Sequence, residues 1–213
     1  MPNDPCKSET SRILLVEGKD DCHVVMSLCN AYNVPEVFGL FECGGFDQLL
    51  KRLNALVSEP NTPEVIGALL DADTNLSARW KSITAKLSHY DYVFPAQPNV
   101  NGTIIEGDGG LPKLGIWLMP NNQIAGMLED FCLEMIDAGA RAGAETAIAK
   151  AEGDGLTTFI PNHRSKAIVH TFLAWQDEPG NPMGLAITRQ ALRPQTNTAR
   201  TFTEWLELLF GSA

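Results

Sequence analysis

Two acidic clusters in this chain have the residue types and spacing for metal-assisted chemistry. The first is Glu17-Gly18-Lys19-Asp20-Asp21 and the second is Asp71-Ala72-Asp73. Residues two apart in an extended segment face the same side, so Asp71 and Asp73 are expected to point together. Two carboxylates so placed repel each other unless a proton or cation lies between them. Hard oxygen donors of this kind suit Mg²⁺ or Mn²⁺. At the first cluster, Gly18 permits a tight turn. If a helix starts near Lys19 or Asp20, Glu17 and Asp21 can project toward one point. Asp20 or Asp21 can equally serve as the helix cap.

The elements that must hold these clusters can be read from hydrophobic periodicity. Arg12 to Val16, Val37 to Phe41 and Val65 to Leu70 are short β-rich runs, and Tyr92 to Phe94 is a fourth. Between them, apolar residues recur at helical spacing from about Asp20, from Phe46 to Val57, and from about Ser77 to Leu87. Residues 12–94 therefore read as alternating strands and helices, which implies a parallel sheet with right-handed crossovers. Ligands in such sheets sit at the carboxyl ends of strands. Glu17 follows the first strand and Asp71 and Asp73 follow the third. Residues 95–113 are rich in Gly and Pro. Gly115 to Met119 reads as a further strand, followed by helices from about Gln123, over 139–151, from His163 to Trp175, and from Thr203 to Phe210.

The chain of 213 residues carries 16 Lys and Arg against 26 Asp and Glu, a net charge of −10. Proteins that hold nucleic acid by global attraction to phosphate are usually basic. Phosphate chemistry here needs a metal or a local basic patch to reverse the field. The N-terminus has no apolar leader region and no run is long enough to cross a membrane, so a cytoplasmic location is expected. Five cysteines, with no CxxC pair, argue against disulfides and structural zinc. Trp117, Trp175 and Trp205 read as core anchors.

A strand ending in Glu-Gly-x-x-Asp, then about fifty residues later a strand ending in Asp-x-Asp, resembles the Toprim domain over roughly residues 11–95. That domain is shared by topoisomerases, bacterial primases and nucleases of the overcoming-lysogenisation-defect class. Gly115-Ile-Trp-Leu-Met-Pro120 and Gly126-Met-Leu-Glu-Asp-Phe131 are similar to an uncharacterised bacterial Toprim-like family. The resemblance implies that Glu17, Asp71 and Asp73 bind one or two Mg²⁺ or Mn²⁺ ions. By analogy with the nuclease branch, Asp21 joins them. It also makes Glu17 the general acid or base, and raises the expectation of a partner ATPase.

Two further candidates come from helix geometry. On a helix from Gln123, Glu129 falls between Leu133 and Ile136, and a carboxylate flanked by apolar residues needs a partner. Because the resemblance expects another acidic ligand downstream, Glu129 is the candidate over Asp130. Near residue 163, His163, Arg164 and Lys166 crowd a helix's first turn, where positive charge opposes the dipole. Basic side chains at a helix N-terminus make a phosphate-binding patch, with Lys166 as a stabiliser of the transition state.

These readings combine into an α/β fold, a Toprim-like parallel sheet flanked by helices with a C-terminal α-helical elaboration. The expected division is a loose arm over 1–10, the core over 11–120 and the helical part over 121–213. The expected activity is metal-dependent phosphodiester hydrolysis on nucleic acid or another phosphodiester. The competing expectations are a non-catalytic module that recognises a protein partner or a nucleic-acid end, and a small-molecule phosphatase or phosphotransferase. Tyr32, Tyr90 and Tyr92 are the only tyrosines and none adjoins the clusters. That disfavours covalent strand transfer through tyrosine.

Overall fold

The structure is a computed structural model and describes residues 4–211. It is an α/β protein with a five-stranded sheet in the order β2-β1-β3-β5-β4. The strands are β1 (Arg12–Val16), β2 (Gly39–Glu42), β3 (Val65–Asp71), β4 (Thr103–Ile105) and β5 (Lys113–Met119). All neighbouring pairs are parallel except β4 with β5. Helices α1 (Lys19–Tyr32), α2 (Phe46–Ser58) and α3 (Leu76–Lys86) follow the first three parallel strands. After β5 come α4 (Leu128–Leu133), α5 (Ala138–Gly153), a 3₁₀ turn (Pro161–His163), α6 (Arg164–Ala174), α7 (Met183–Thr188) and α8 (Asn197–Phe210).

The strands read as unbroken apolar runs because both sheet faces are covered. Ile13 and Leu15 point to the face under α2 and α3, with Ile66, Ala68 and Leu70. Leu14 and Val16 point to the other face, where Leu69, Trp117 and Met119 join residues of α1 and α4 to α8 in one cluster. The helices beyond residue 120 therefore share a core with the sheet. Trp117 and Trp205 are buried in this cluster with ring centroids 5.6 Å apart, whereas Trp175 is half exposed.

One contact between α8 and the sheet depends on missing side chains. Gly67 on β3 pairs in register with Gly115 on β5. A Cβ at Gly67 would lie 2.7 Å from Leu14 Cδ1 and 2.9 Å from Phe210 Cζ, and one at Gly115 would overlap the Leu209 side chain. The two glycines leave a bare patch on the sheet into which the end of α8 settles.

Several expectations need correction. Tyr92 to Phe94 forms no strand. Tyr92 is buried instead as a loop residue whose hydroxyl donates to the Pro112 carbonyl at 2.8 Å. The fifth strand is β4, three residues inside the Gly- and Pro-rich segment, too short to show an alternating pattern. The helix expected from Gln123 starts at Leu128, because Asn122 (φ 62) and Gly126 (φ 147) hold a left-handed backbone ahead of it.

Residues 1–3 of the expected loose arm lie outside the described residues, and residues 4–10 are tied down. The amide of Ser8 donates to the Leu40 carbonyl at 2.9 Å, and that of Glu42 donates to the Cys6 carbonyl at 2.8 Å. Cys6 is disulfide-bonded to Cys22 on α1, against the expectation of free thiols. The cause is three-dimensional: the arm lies along β2 and brings Cys6, buried, against the helix that crosses behind it. Among the described residues, no helix is long and apolar enough to cross a membrane.

Candidate functional site

The carboxyl ends of β1, β2 and β3 meet the starts of α1, α4 and α6 around a cleft of about 450 Å³. Glu17 directly follows β1. Its Oε1 accepts the Asp71 amide at 2.9 Å. The Glu17 carbonyl accepts the amides of Gly44 and Gly45 at 3.0 and 2.8 Å, which folds that turn against the cleft. Both glycines hold positive φ, 85° and 107°.

Gly18 plays a different part from the one expected. Its backbone is extended (φ −137, ψ 176), a conformation open to any residue. Its amide donates to Asp21 Oδ2 at 2.8 Å, so Asp21 caps α1 and also lines the cleft. Asp71 ends β3, and its Oδ1 accepts the Leu128 amide at 3.0 Å. This bond fastens α4 to the sheet and carries the next residue, Glu129, into the site. Glu129 is only 4% exposed, and its Oε1 pairs with Lys166 Nζ at 2.8 Å.

The structure thus brings together Glu17, Asp21, Asp71 and Glu129, with His163 and Lys166 at the rim. It does not bring in Asp73 or Arg164. Asp73 adopts φ 50, so the expected two-residue alternation ends at Ala72. The Asp73 carbonyl accepts the Gly126 amide at 2.7 Å, and its side chain pairs with Arg79. Arg164 turns toward α5 and pairs with Glu152 at 3.2 Å. Asp130 is spent on local structure. Its Oδ2 accepts the Met127 amide at 2.8 Å and its Oδ1 accepts the Ser165 hydroxyl, which joins α4 to α6.

Glu42 and Arg79 were missed in the sequence. Glu42 ends β2 and lines the cleft, so the rule about strand carboxyl ends could have found it. Arg79 stacks on the Phe46 ring at 3.7 Å. Nothing in the sequence marks it except its place six residues past Asp73. The Gly-rich loop over 106–110 leads into the amino end of β5, at the opposite end of the sheet from the cleft.

Burial and mutual repulsion set the protonation of this cluster. Burial pushes the Asp71 carboxyl up, and the charges of Asp21, Glu17 and Glu129 add to the effect. Burial likewise raises Asp21, helped by Glu17 and Glu129 and opposed by the Gly18 amide. Glu17 is raised by burial, against the hydrogen bond from Asp71 and the charge of Arg79. Lys166 is raised mainly by its hydrogen bond to Glu129.

Among the described residues, no three His, Cys, Asp or Glu side chains already converge tightly enough to hold one ion. The donor set nevertheless fits a hard divalent cation. Its groups are all carboxylates, largely buried. One oxygen each of Asp21, Asp71 and Glu129 is hydrogen-bonded within the protein, and the other has no such bond among the described residues. Buried like charges of this kind are stabilised by a cation.

In comparisons with known proteins, a family model described as "Protein of unknown function (DUF3226)" matches residues 11–211. No curated protein and no solved structure matches.

Proposed function

We propose that this chain, which belongs to the DUF3226 family, is a Toprim-like enzyme that hydrolyses phosphodiester bonds with one or two Mg²⁺ or Mn²⁺ ions. One observation carries the reading. Four carboxylates from the ends of β1 and β3 and the starts of α1 and α4 share one cleft with Lys166 as their close cation. The placement is the one that ligand sites take in open α/β sheets.

Glu17, Asp21, Asp71 and Glu129 would hold the ions. Divalent metal bound there supplies an activated water and offsets charge on the phosphoryl oxygens. The protein's own groups do the rest. Glu17, which directly follows β1 and lines the cleft, is the group placed to take and return a proton at its carboxylate oxygens. Lys166 holds its ammonium at the rim, beside Glu129, and offsets charge that develops on the leaving side. His163 contacts phosphate at the same rim. Asp73 acts at one remove by fixing Arg79, whose charge faces Glu17.

Calorimetric titration with Mn²⁺ and Mn²⁺-dependent hydrolysis of bis(p-nitrophenyl) phosphate test this reading together. Asp71→Asn should weaken Mn²⁺ binding at least about tenfold, and Glu17→Gln should abolish hydrolysis. Hydrolysis that survives both substitutions would remove the site from consideration.

A further inference from the structure

We infer that the cleft takes a small phosphodiester of about one or two nucleotides in size, free or at a chain end, and does not grip internal segments of a nucleic acid. This inference rests on the phosphodiesterase reading of the same site. It comes from where the positive charge of the molecule is committed.

Ten of the sixteen Lys and Arg side chains are within 4.0 Å of one of the protein's own carboxylates. Among the described residues, the six without such a pair are Lys19, Lys51, Lys81, Lys86, Arg193 and Arg200, all exposed. Only Lys19 lines the cleft. Lys51, Lys81 and Lys86 ride on α2 and α3, over one face of the sheet, whereas Arg193 and Arg200 lie before and on α8, over the other. Among the described residues, no continuous basic track runs from the cleft in either direction. Polymer affinity grows with the number of phosphates that lysine and arginine neutralise, and this surface offers few.

The cleft agrees with the surface. Its volume of about 450 Å³ falls within the range of small-molecule pockets, about 300–1,000 Å³. Six carboxylates line it against two lysines. A single phosphate drawn to bound metal is stabilised there. The next phosphates along a strand would meet the exposed Asp20 carboxylate at the rim and be repelled.

Direct titration with Mn²⁺ first establishes whether the carboxylates bind metal, and that result bears on the phosphodiesterase reading alone. A length series then decides the present inference, using a thymidine dinucleotide, linear oligothymidylate of about twenty nucleotides and the same oligomer circularised, each with and without Mn²⁺. The dinucleotide should bind, and the circle, which has no end, should bind at least about tenfold more weakly. The linear oligomer should match the dinucleotide within about threefold if chain ends are accepted, and match the circle if only the free ester is. The logarithm of the binding constant should fall with that of salt at a slope shallower than about −2. Lys19→Ala should weaken dinucleotide binding about three- to tenfold, while Lys81→Ala with Lys86→Ala leaves it unchanged. A circle that binds as tightly as the dinucleotide, affinity that climbs with length at a steep salt slope, or no dinucleotide binding under any condition would overturn the inference.

Discussion

At the scale of single residues, the site is a set of buried like charges whose free energy depends on pH. Asp21 and Asp71 have folded-state pKa values above those of the unfolded chain, so the folded state binds protons more tightly. Their contribution is fully present below the unfolded carboxylate range, near about pH 4, and is lost as pH rises through the raised folded values. Metal-free protein should therefore melt at progressively lower temperature as pH climbs from mildly acid to mildly alkaline. Mn²⁺ should restore more at the alkaline end. Differential scanning calorimetry over that range, with and without metal, checks the sign. Lys166→Met leaves the buried Glu129 carboxylate without its cation and should cost about 1–2 kcal/mol, or a few degrees in Tm. Mn²⁺ should recover most of that loss, and a variant indifferent to Mn²⁺ would count against Glu129 as a ligand. Glu17 and Asp71 could be read in the sequence from strand ends, whereas Asp21 and Glu129 were singled out with the help of the family resemblance, Glu129 on a helix that in fact starts at Leu128. Asp73 misled because alternation holds only while the backbone stays extended, and a single left-handed residue redirects the side chain.

At the scale of elements, β1, β3 and β5 show in the sequence as unbroken apolar runs and α1, α2 and α3 as apolar residues at helical spacing, and their alternation gives the parallel sheet. The exceptions are short or irregular. β4 has three residues and α4 has six, below the length at which a repeat can be counted. What positions α4 is a set of tertiary hydrogen bonds, from its Leu128 amide to Asp71 and from Ser165 to Asp130, invisible in a linear pattern. The seat of α8 makes a sharper prediction. Gly115→Ala places a methyl group into the Leu209 side chain and should destabilise the fold by about 1–3 kcal/mol. Combining it with Leu209→Ala should return part of the loss. Denaturant unfolding of the single and double variants measures the coupling, and additive effects would mean that α8 does not rest on this patch.

At the scale of the whole molecule, two apolar clusters sandwich one sheet, and the acidic cleft opens at the sheet's carboxyl edge. The cysteine count could not reveal the bond from the arm to α1, because it depends on the arm lying along β2 rather than on spacing. Reduction of Cys6–Cys22, which closes a loop of 16 residues, should lower stability by about 3 kcal/mol. Limited proteolysis should then cut within residues 4–10 first, while Mn²⁺ binding persists. Equal melting of oxidised and reduced protein would show that the arm is held by its hydrogen bonds alone. The bare glycine patch under α8 has a consequence for vectorial synthesis. A ribosome makes every cleft residue, from Glu17 to Lys166, before it makes the helix at 197–210 that seals the sheet above Gly67 and Gly115. A nascent chain whose cleft residues have emerged while α8 is still in the exit tunnel carries the complete acidic cluster on a half-covered sheet. The cooperative, protease-resistant state should therefore arise only once α8 clears the exit tunnel, and chains arrested on C-terminal linkers of increasing length after residue 210 would time that step.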